Sequence, residues 1–463
     1  MPDEAMSTTA SEVSWEGDNN PVATASPRSV WALAWPVTLA MLSESLVGLV
    51  DMLMVAKLGA TAVAAVGTGG QILSAAMVTM TAVGTGTMAL VARHVGAGEF
   101  EEAEHVHGQS ILVGFLGSAA MILPIVYFAA PLVGLFGVEP EVASAGASYT
   151  RLVMLSIPVA TTLFVVGSAQ RAAGDTRTPL WIGVIVNILN VFLNWVLIFG
   201  HLGAPALGVD GSAIATTIAF AVGAILAISL GVFGRLRIAL HVRDLRIQVA
   251  TVRRVLWIGY PAAVEQALMQ VGFLLYLVFA VRYGTEAVAA YFIGVRILAL
   301  SFLPGFGFGA AASALVGQNL GAREPEEAAA AGWISTWMSV ALMSLGGVAI
   351  AMLAEEIASL FVDDAAVIRN TVWFIYMLGL AQPFMAIDFT LGGALRGAGD
   401  TRFPLVTVIV AFYVVRLGLS AAVVHVFELG LAWLWATMIA DYAMRSLLKG
   451  WRFRRGAWAE IAI

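Results

Sequence analysis

Apolar residues run in long stretches along almost the whole chain, separated by short polar turns. The stretches cover 31–56, 64–91, 108–129, 146–170, 179–199, 211–233, 256–281, 288–316, 331–354, 368–393, 404–427 and 431–449. Most are as long as the roughly 20 residues that a helix needs to cross a bilayer. The shorter alternating segments of a spanning β-strand are absent from the pattern. The expected fold is therefore an all-α integral membrane protein with twelve transmembrane helices. Residues 1–29 stand apart as a polar segment rich in Ser, Thr, Asp and Glu. Such a segment cannot bury enough apolar surface to fold, so a disordered tail is expected. It also lacks the basic start and short apolar core of a signal peptide.

Composition narrows the class further. Of 463 residues, 60% are hydrophobic and 12% are charged, against about 25% charged in a typical soluble domain. Mean hydropathy is +0.89. These values exclude a soluble enzyme and a disordered chain, and they make the lipid bilayer the first partner. A net charge of −6 gives no basic footprint for nucleic acid. The absence of cysteine removes disulfides, thiolate catalysis and thiolate metal sites. With the N-terminus placed inside, seventeen Arg and Lys residues fall on the inner side. Only Lys57, Arg151, Arg282 and Arg369 fall outside. The positive-inside bias puts both termini in the cytoplasm of a multi-pass plasma-membrane protein.

The chain repeats itself. Gln170-Arg-Ala-Ala-Gly-Asp-Thr-Arg-Thr-Pro-Leu180 returns as Leu395-Arg-Gly-Ala-Gly-Asp-Thr-Arg-Phe-Pro-Leu405, an offset of 395 − 170 = 225. The same offset takes Pro36 to Pro261, Gly59 to Gly284, Ala62-Val-Ala-Ala65 to Ala287-Val-Ala-Ala290, and Leu90 to Leu315 within a matching segment. Six spans per half is an even number, so the halves enter the membrane in the same sense. Parallel repeats of this kind place a substrate site in a central cavity between them. The expected organisation is a cytoplasmic tail (1–29), a six-helix lobe (30–233), a cytoplasmic linker (234–255), a second six-helix lobe (256–450) and a cytoplasmic tail (451–463).

Several motifs give this chain a family resemblance. Pro36 is followed by Leu49-Val-Asp51 and Leu58-Gly59. Gly96-Ala-Gly98 and the repeated Arg-x-Ala-Gly-Asp-Thr-Arg-x-Pro come later. Asn190-x-x-x-Asn194 leads into Leu197-Ile-Phe-Gly200, and Gly208-Val-x-Gly211 runs on to Thr216. Together they resemble the multidrug and toxic compound extrusion (MATE) family, over residues 30–450. The resemblance implies a secondary antiporter that exports amphipathic, often cationic compounds in exchange for Na⁺ or H⁺. It also implies no nucleotide and no cofactor beyond the coupling ion, and the transporter is expected to act as a monomer. The pattern is closer to the DinF-like branch. Where the NorM-like branch carries a glutamate in span 7 and an aspartate in span 10, this chain has Met269 and Met385.

An ionisable group inside a span costs roughly 2.5–3.5 kcal/mol on insertion scales, so each one needs a reason. Asp51 is the strongest candidate: a carboxylate flanked by Val50 and Met52 can hold Na⁺ or a proton. Asn190 and Asn194, four apart, share a helix face, and their amide oxygens suit a hard cation. Thr216 adds a hydroxyl. These four form the expected cation site, for Na⁺ if a metal ion is the coupling ion. Asn190, Asn194 and Thr216 each alone also read as glue between helices. Under the offset, however, Asp51, Asn190, Asn194 and Thr216 map to Tyr276, Val415, Leu419 and Asp441, so the cluster belongs to one half only. Family members of the DinF-like branch often carry a second acid where Asn194 stands, which leaves the coupling ion open between Na⁺ and H⁺.

Accessory candidates are Glu44, two turns from Asp51 on the same face, Asn187 beside Asn190, and Glu265 and Asp388. The last two read equally as a substrate-cation site or as ion-pair partners of Arg296 and Arg416. Pro36 removes a backbone donor inside the first span and is the expected hinge. The cluster Glu99-Phe-Glu-Glu-Ala-Glu104-His-Val-His107 reads as a solvated loop helix rather than a metal site. Gly305-Phe-Gly-Phe-Gly309 follows no strand and is not a nucleotide loop. A flippase for a lipid-linked glycan is the main alternative function, but it calls for a more cationic cavity than spans 1 and 2 supply. An intramembrane enzyme would need a nucleophile–base pair or a His-Glu-x-x-His metal set, and neither is present.

Overall fold

The computed structural model describes residues 24–463, and within them every regular element is helical. Most of the expected 1–29 tail lies outside the described residues. The first half holds α1 (Pro27–Ala56), α2 (Ala60–Ala76), α3 (Val78–Gly96), α4 (Phe100–Tyr127), α5 (Ala129–Gly134), α6 (Pro140–Met154), α7 (Ser156–Ala172), α8 (Arg177–Phe199) and α9 (Gly208–Val232). The second half holds α10 (Val249–Val281), α11 (Thr285–Ser301), α12 (Leu303–Gly321), α13 (Pro325–Met352), α14 (Ala354–Ser359), α15 (Ala365–Gly397), α16 (Arg402–Val408), α17 (Leu417–Ala421) and α18 (Leu431–Arg454). Helix starts repeat with the sequence offset: residues 60, 78, 100, 129, 140 and 177 return at 285, 303, 325, 354, 365 and 402.

Ten helical stretches are long and apolar enough to cross a membrane, and α6 with α7, bent by 41°, make an eleventh if taken as one span. The twelve expected from the sequence also include α18. That helix is 24 residues long but buries Asp441, Arg445 and Lys449, so it falls short as an apolar span. The spans 64–91 and 288–316 each lie in one long span, Ala60–Gly96 and Thr285–Gly321, with a one-residue irregularity at Met77 and Phe302, residues related by the same offset. The second falls just before Pro304, which sits in the first turn of α12. Two further expectations need correction. The last third of the expected linker is helix, because α10 begins at Val249. Glu99–His107 is not a free loop helix: α4 starts at Phe100, and its first turns dock on the connection between the halves. There Glu104 contacts His241 at 3.1 Å, and Gln109 donates to the carbonyls of Asp244 and Arg246 at 2.5 and 2.6 Å.

Local chemistry explains the helix boundaries. Gly59 and Gly284 take φ of 107° and 92° in the two equivalent turns, a region where a side chain is strained. In the repeated Gly-Asp-Thr-Arg motif, the Asp175 side chain accepts from the backbone N–H of Arg177 and Thr178 at 3.1 and 3.0 Å and so caps α8. Its counterpart Asp400 is held instead by Arg452 at 2.7 Å. Pro36 lies inside α1 without ending it and leaves the carbonyl of Ala32 without its helical donor. The hydroxyl of Thr176 takes that carbonyl at 3.4 Å, as a backbone group in a membrane requires.

Each half has its own apolar core, and the halves meet at one end of the bundle. At that end lie the start of α1, the end of α3, the arginine-rich connection 233–248 and the end of the chain. Val30, Leu33 and Ala34 of α1 pack there against Phe308, Ala311 and Leu315 of α12. The backbones touch: a methyl added to Gly96 would collide with the Gln318 carbonyl, and one added to Gly321 with the Arg93 carbonyl. Such small-residue contacts let membrane helices approach closely. Gln318 donates to the Ala172 carbonyl at 2.7 Å, and Arg93 reaches the carbonyls of Ala398 and Ile461 at 3.3 and 3.2 Å. Toward the opposite end, α2 packs on α1, α3, α4, α6 and α9, while α11 packs on α10, α12, α13 and α15, each within its own half.

Candidate cation site in the first half

Asp51 stands one and a half turns from the end of α1, where α1 lies against α8. Asn194 is fully buried on the facing side of α8, and its Nδ2 donates to Asp51 Oδ1 at 2.5 Å. Asn190, one turn away, contacts both Asp51 oxygens at 3.0 Å and Thr216 Oγ1 of α9 at 3.2 Å. The four residues expected from the sequence therefore converge on one point between three helices. With its nitrogen toward Asp51, the Asn190 amide donates to both carboxylate oxygens and accepts from Thr216. Asn194 Oδ1 is buried and has no partner among the described residues.

The accessory candidates divide. Asn187 donates to Ser43 of α1 at 2.9 Å and so ties α8 to α1 next to the site rather than within it. Glu44 is exposed and interacts at a distance with the Arg171 charge. Pro36 is buried between Ala34 and Thr38, the two residues that face Gly307 of α12.

Glu265 and Asp388 do form ion pairs, but not with the partners expected. Both Glu265 oxygens are 2.8 Å from one nitrogen of Arg396. Asp388 pairs with Lys449 at 2.5 Å and lies 3.9 Å from Arg445. Arg445 also binds Asp441 at 2.7 and 3.2 Å, and Asp441 contacts Arg416 at 3.4 Å. Arg296 is exposed and pairs with no acid among the described residues. Sequence reasoning missed Arg445 and Lys449. Their signal was the spacing of Asp441, Arg445 and Lys449, each four apart on one helix face.

The second half answers the cation site with a charge of its own. Tyr276 and Asp441 occupy the positions equivalent to Asp51 and Thr216. Between them lies the Arg416 guanidinium, 4.1 Å from the Tyr276 ring centre and 5.0 Å from that of Phe412. Arg416 ends a π-helical stretch, Ile409–Arg416, that has no counterpart in the continuous α8. Wider turns of this kind recur at functional sites.

Two packed helical halves, joined at one end and carrying a buried carboxylate–amide cluster in one of them, make a multispan membrane transporter. The MatE family model matches residues 36–196 and again 261–421, and the two matches are related by the same offset as the sequence repeat. The chain belongs to the MatE family of transporters. It is 29% identical over 435 residues to the probable multidrug resistance protein NorM of Thermotoga maritima, covering 93% of each chain. It is 30% identical over 436 residues to the probable multidrug resistance protein NorM of Burkholderia mallei, covering 91% of each. In fold, it resembles a MOP superfamily transporter from Pyrococcus furiosus with a TM-score of 0.88 at 21% identity, covering 96% of this chain and 98% of that one. Among the described residues no group of three or more His, Cys, Asp or Glu side chains is placed to hold a metal ion.

Proposed function

We propose that this chain is a secondary antiporter of the plasma membrane that exports amphipathic, cationic organic compounds in exchange for Na⁺ or H⁺. The names of its relatives, multidrug resistance proteins, support the substrate class. The doubled family match and the recurring helix starts support two parallel six-helix repeats around a central cleft, with α18 as the twelfth span. The arginine-rich end, where the halves meet, is cytoplasmic, and both termini lie there. The arrangement is then closed inside and open outside.

The observation that carries the mechanism is the Asp51–Asn190–Asn194–Thr216 cluster in one half only. Asp51 holds the coupling ion. With the site empty and Asp51 ionised, Asn190 and Asn194 donate to the carboxylate. The unpaired Asn194 Oδ1 and the Thr216 hydroxyl supply further oxygen ligands. The ion changes the α1–α8–α9 contact and so binds the two access states with different affinity, which exchange requires. Arg416 fills the equivalent place in the second half, so one lobe carries the mobile ion. Asp51 together with Met269 and Met385 favours the DinF-like branch. The reading calls for no nucleotide and places the functional unit in a monomer.

Exporter and lipid-linked glycan flippase differ in the charge their clefts need. The single exposed arginine deep in the spans of α1, α2, α10 and α11 favours the exporter. The test is displacement of a bound fluorescent organic cation from purified protein by Na⁺ or by acid. Wild type releases the dye with one of the two ions, and Asp51→Asn releases it with neither. Equal release from the variant sinks the assignment.

A further inference from the structure

Side chains exposed in the middle of a span meet either lipid or water. On α4, α8, α9 and α13 the exposed mid-span residues are apolar, among them Phe115, Leu123, Ile185, Ile188, Val222 and Leu345. These faces suit lipid. Polar residues exposed at depth lie elsewhere: Glu44 on α1, Gln71 on α2, Gln266 and Gln270 on α10, and Arg296 on α11. A charged group facing hydrocarbon at that depth is too costly, so these faces line a water-filled cleft.

They also lie at one level. Gln71 and Arg296 stand equally far into their helices, counted from the starts at Ala60 and Thr285. Gln270 and Glu44 stand almost equally far from the ends of theirs, at Val281 and Ala56. At a rise of about 1.5 Å per residue, all four sit about 16–18 Å below the same end of the bundle. Arg296 and Gln71 are related by the repeat offset, so the two halves present an arginine and an amide at equivalent places. Glu44 has the Arg171 charge nearby. Arg296 has no acid partner at all among the described residues.

We propose that Arg296 is a specificity-determining residue of the cleft, which binds a carboxylate on the transported compound. The preferred substrates are then zwitterions, with an amphipathic cationic body and an anionic group that pairs with this guanidinium. Gln270 stands at the same level on the neighbouring helix and offers an amide donor. An arginine fork matches a carboxylate well, and such charge-assisted pairs are the strong ones. A site built around one discriminates against a ligand that lacks the partner group. This inference rests on the export reading and refines its substrate class.

The test uses a rhodamine free acid and its methyl ester, which share one cationic ring system and differ by a single carboxylate. Binding of each dye to the purified full-length protein is read by fluorescence polarisation. Wild type binds the acid about tenfold more tightly than the ester, the scale of one hydrogen bond to a charged group. Arg296→Gln loses that preference by weakening the acid alone, and Arg296→Lys keeps most of it. Equal loss of both dyes, or no loss of the acid, overturns the proposal. So does recovery of transport in a Glu44→Arg/Arg296→Glu exchange variant, which would make the two a pair that closes the cleft. If wild type binds neither dye, the export reading itself falls and takes this inference with it.

Discussion

Asp441→Asn tests whether the second-half charge network is needed for stability. Asp441 is fully buried and serves two cations at once: Arg445 at 2.7 and 3.2 Å, and Arg416 at 3.4 Å. The connected acids are Asp388 and Asp441, and the bases are Arg416, Arg445 and Lys449. Two against three is nearly balanced; one against three is not. Asparagine keeps the shape and one hydrogen bond but removes the charge, leaving two buried guanidinium groups poorly compensated. Breaking a buried pair in this way costs about 3–5 kcal/mol. Unfolding entropy of about 2.1 cal/mol/K per residue over the roughly 440 described residues gives about 0.9 kcal/mol/K, so Tm falls by about 3–5 °C. Intrinsic tryptophan fluorescence on heating in detergent reads this directly. Asp441→Asn combined with Arg416→Met removes one charge of each sign, so it recovers most of the loss. A single variant as stable as wild type, or a double variant less stable than the single one, refutes the reasoning.

Two further predictions follow from single contacts at the end of the bundle where the halves meet. Gly96→Ala forces the α3 and α12 backbones apart at the closed end. Overpacking of about 1–3 kcal/mol shifts the closed population by roughly 5- to 150-fold, since each 1.36 kcal/mol is tenfold. Spin labels on a cysteine pair, introduced across that end into this cysteine-free chain, would show the longer-distance population rise. An unchanged distance distribution would contradict the backbone contact. Thr176→Val removes the hydroxyl that serves the Ala32 carbonyl opposite Pro36. It should cost about 1–3 kcal/mol in thermal stability for the unsatisfied buried group, whereas Thr176→Ser should be near neutral. Equal behaviour of the two variants would show that this hydrogen bond does not matter.

The span pattern was legible because lipid imposes it: a helix that crosses hydrocarbon must be long and apolar, and that is a property of composition. The duplication was legible because Gly-Asp-Thr-Arg-x-Pro must turn the chain in the same way twice. The convergence of Asp51, Asn190, Asn194 and Thr216 could be read because Asn190 and Asn194 share a face and their counterparts are apolar. The one-residue irregularities at Met77 and Phe302 were not legible, since neither residue is a helix breaker. The partners of Glu265 and Asp388 were missed for a related reason. Arg396 and Lys449 sit near span ends, where positive charge normally marks the cytoplasm, and only the packing of α10, α15 and α18 turns them inward. The π-helical stretch before Arg416 leaves no mark in the hydrophobic pattern.

The claim that Asp51 alone carries the coupling ion is tested most directly by driven efflux from proteoliposomes. A fluorescent organic cation is loaded inside, and either a Na⁺ gradient or a pH gradient is imposed, for wild type and Asp51→Asn side by side. Wild type exports the dye under one gradient, and Asp51→Asn exports it under neither, while remaining folded as judged by its Tm. Normal export by Asp51→Asn under the gradient that drives wild type would contradict the account and move the coupling ion to the second-half carboxylates Glu265 and Asp388.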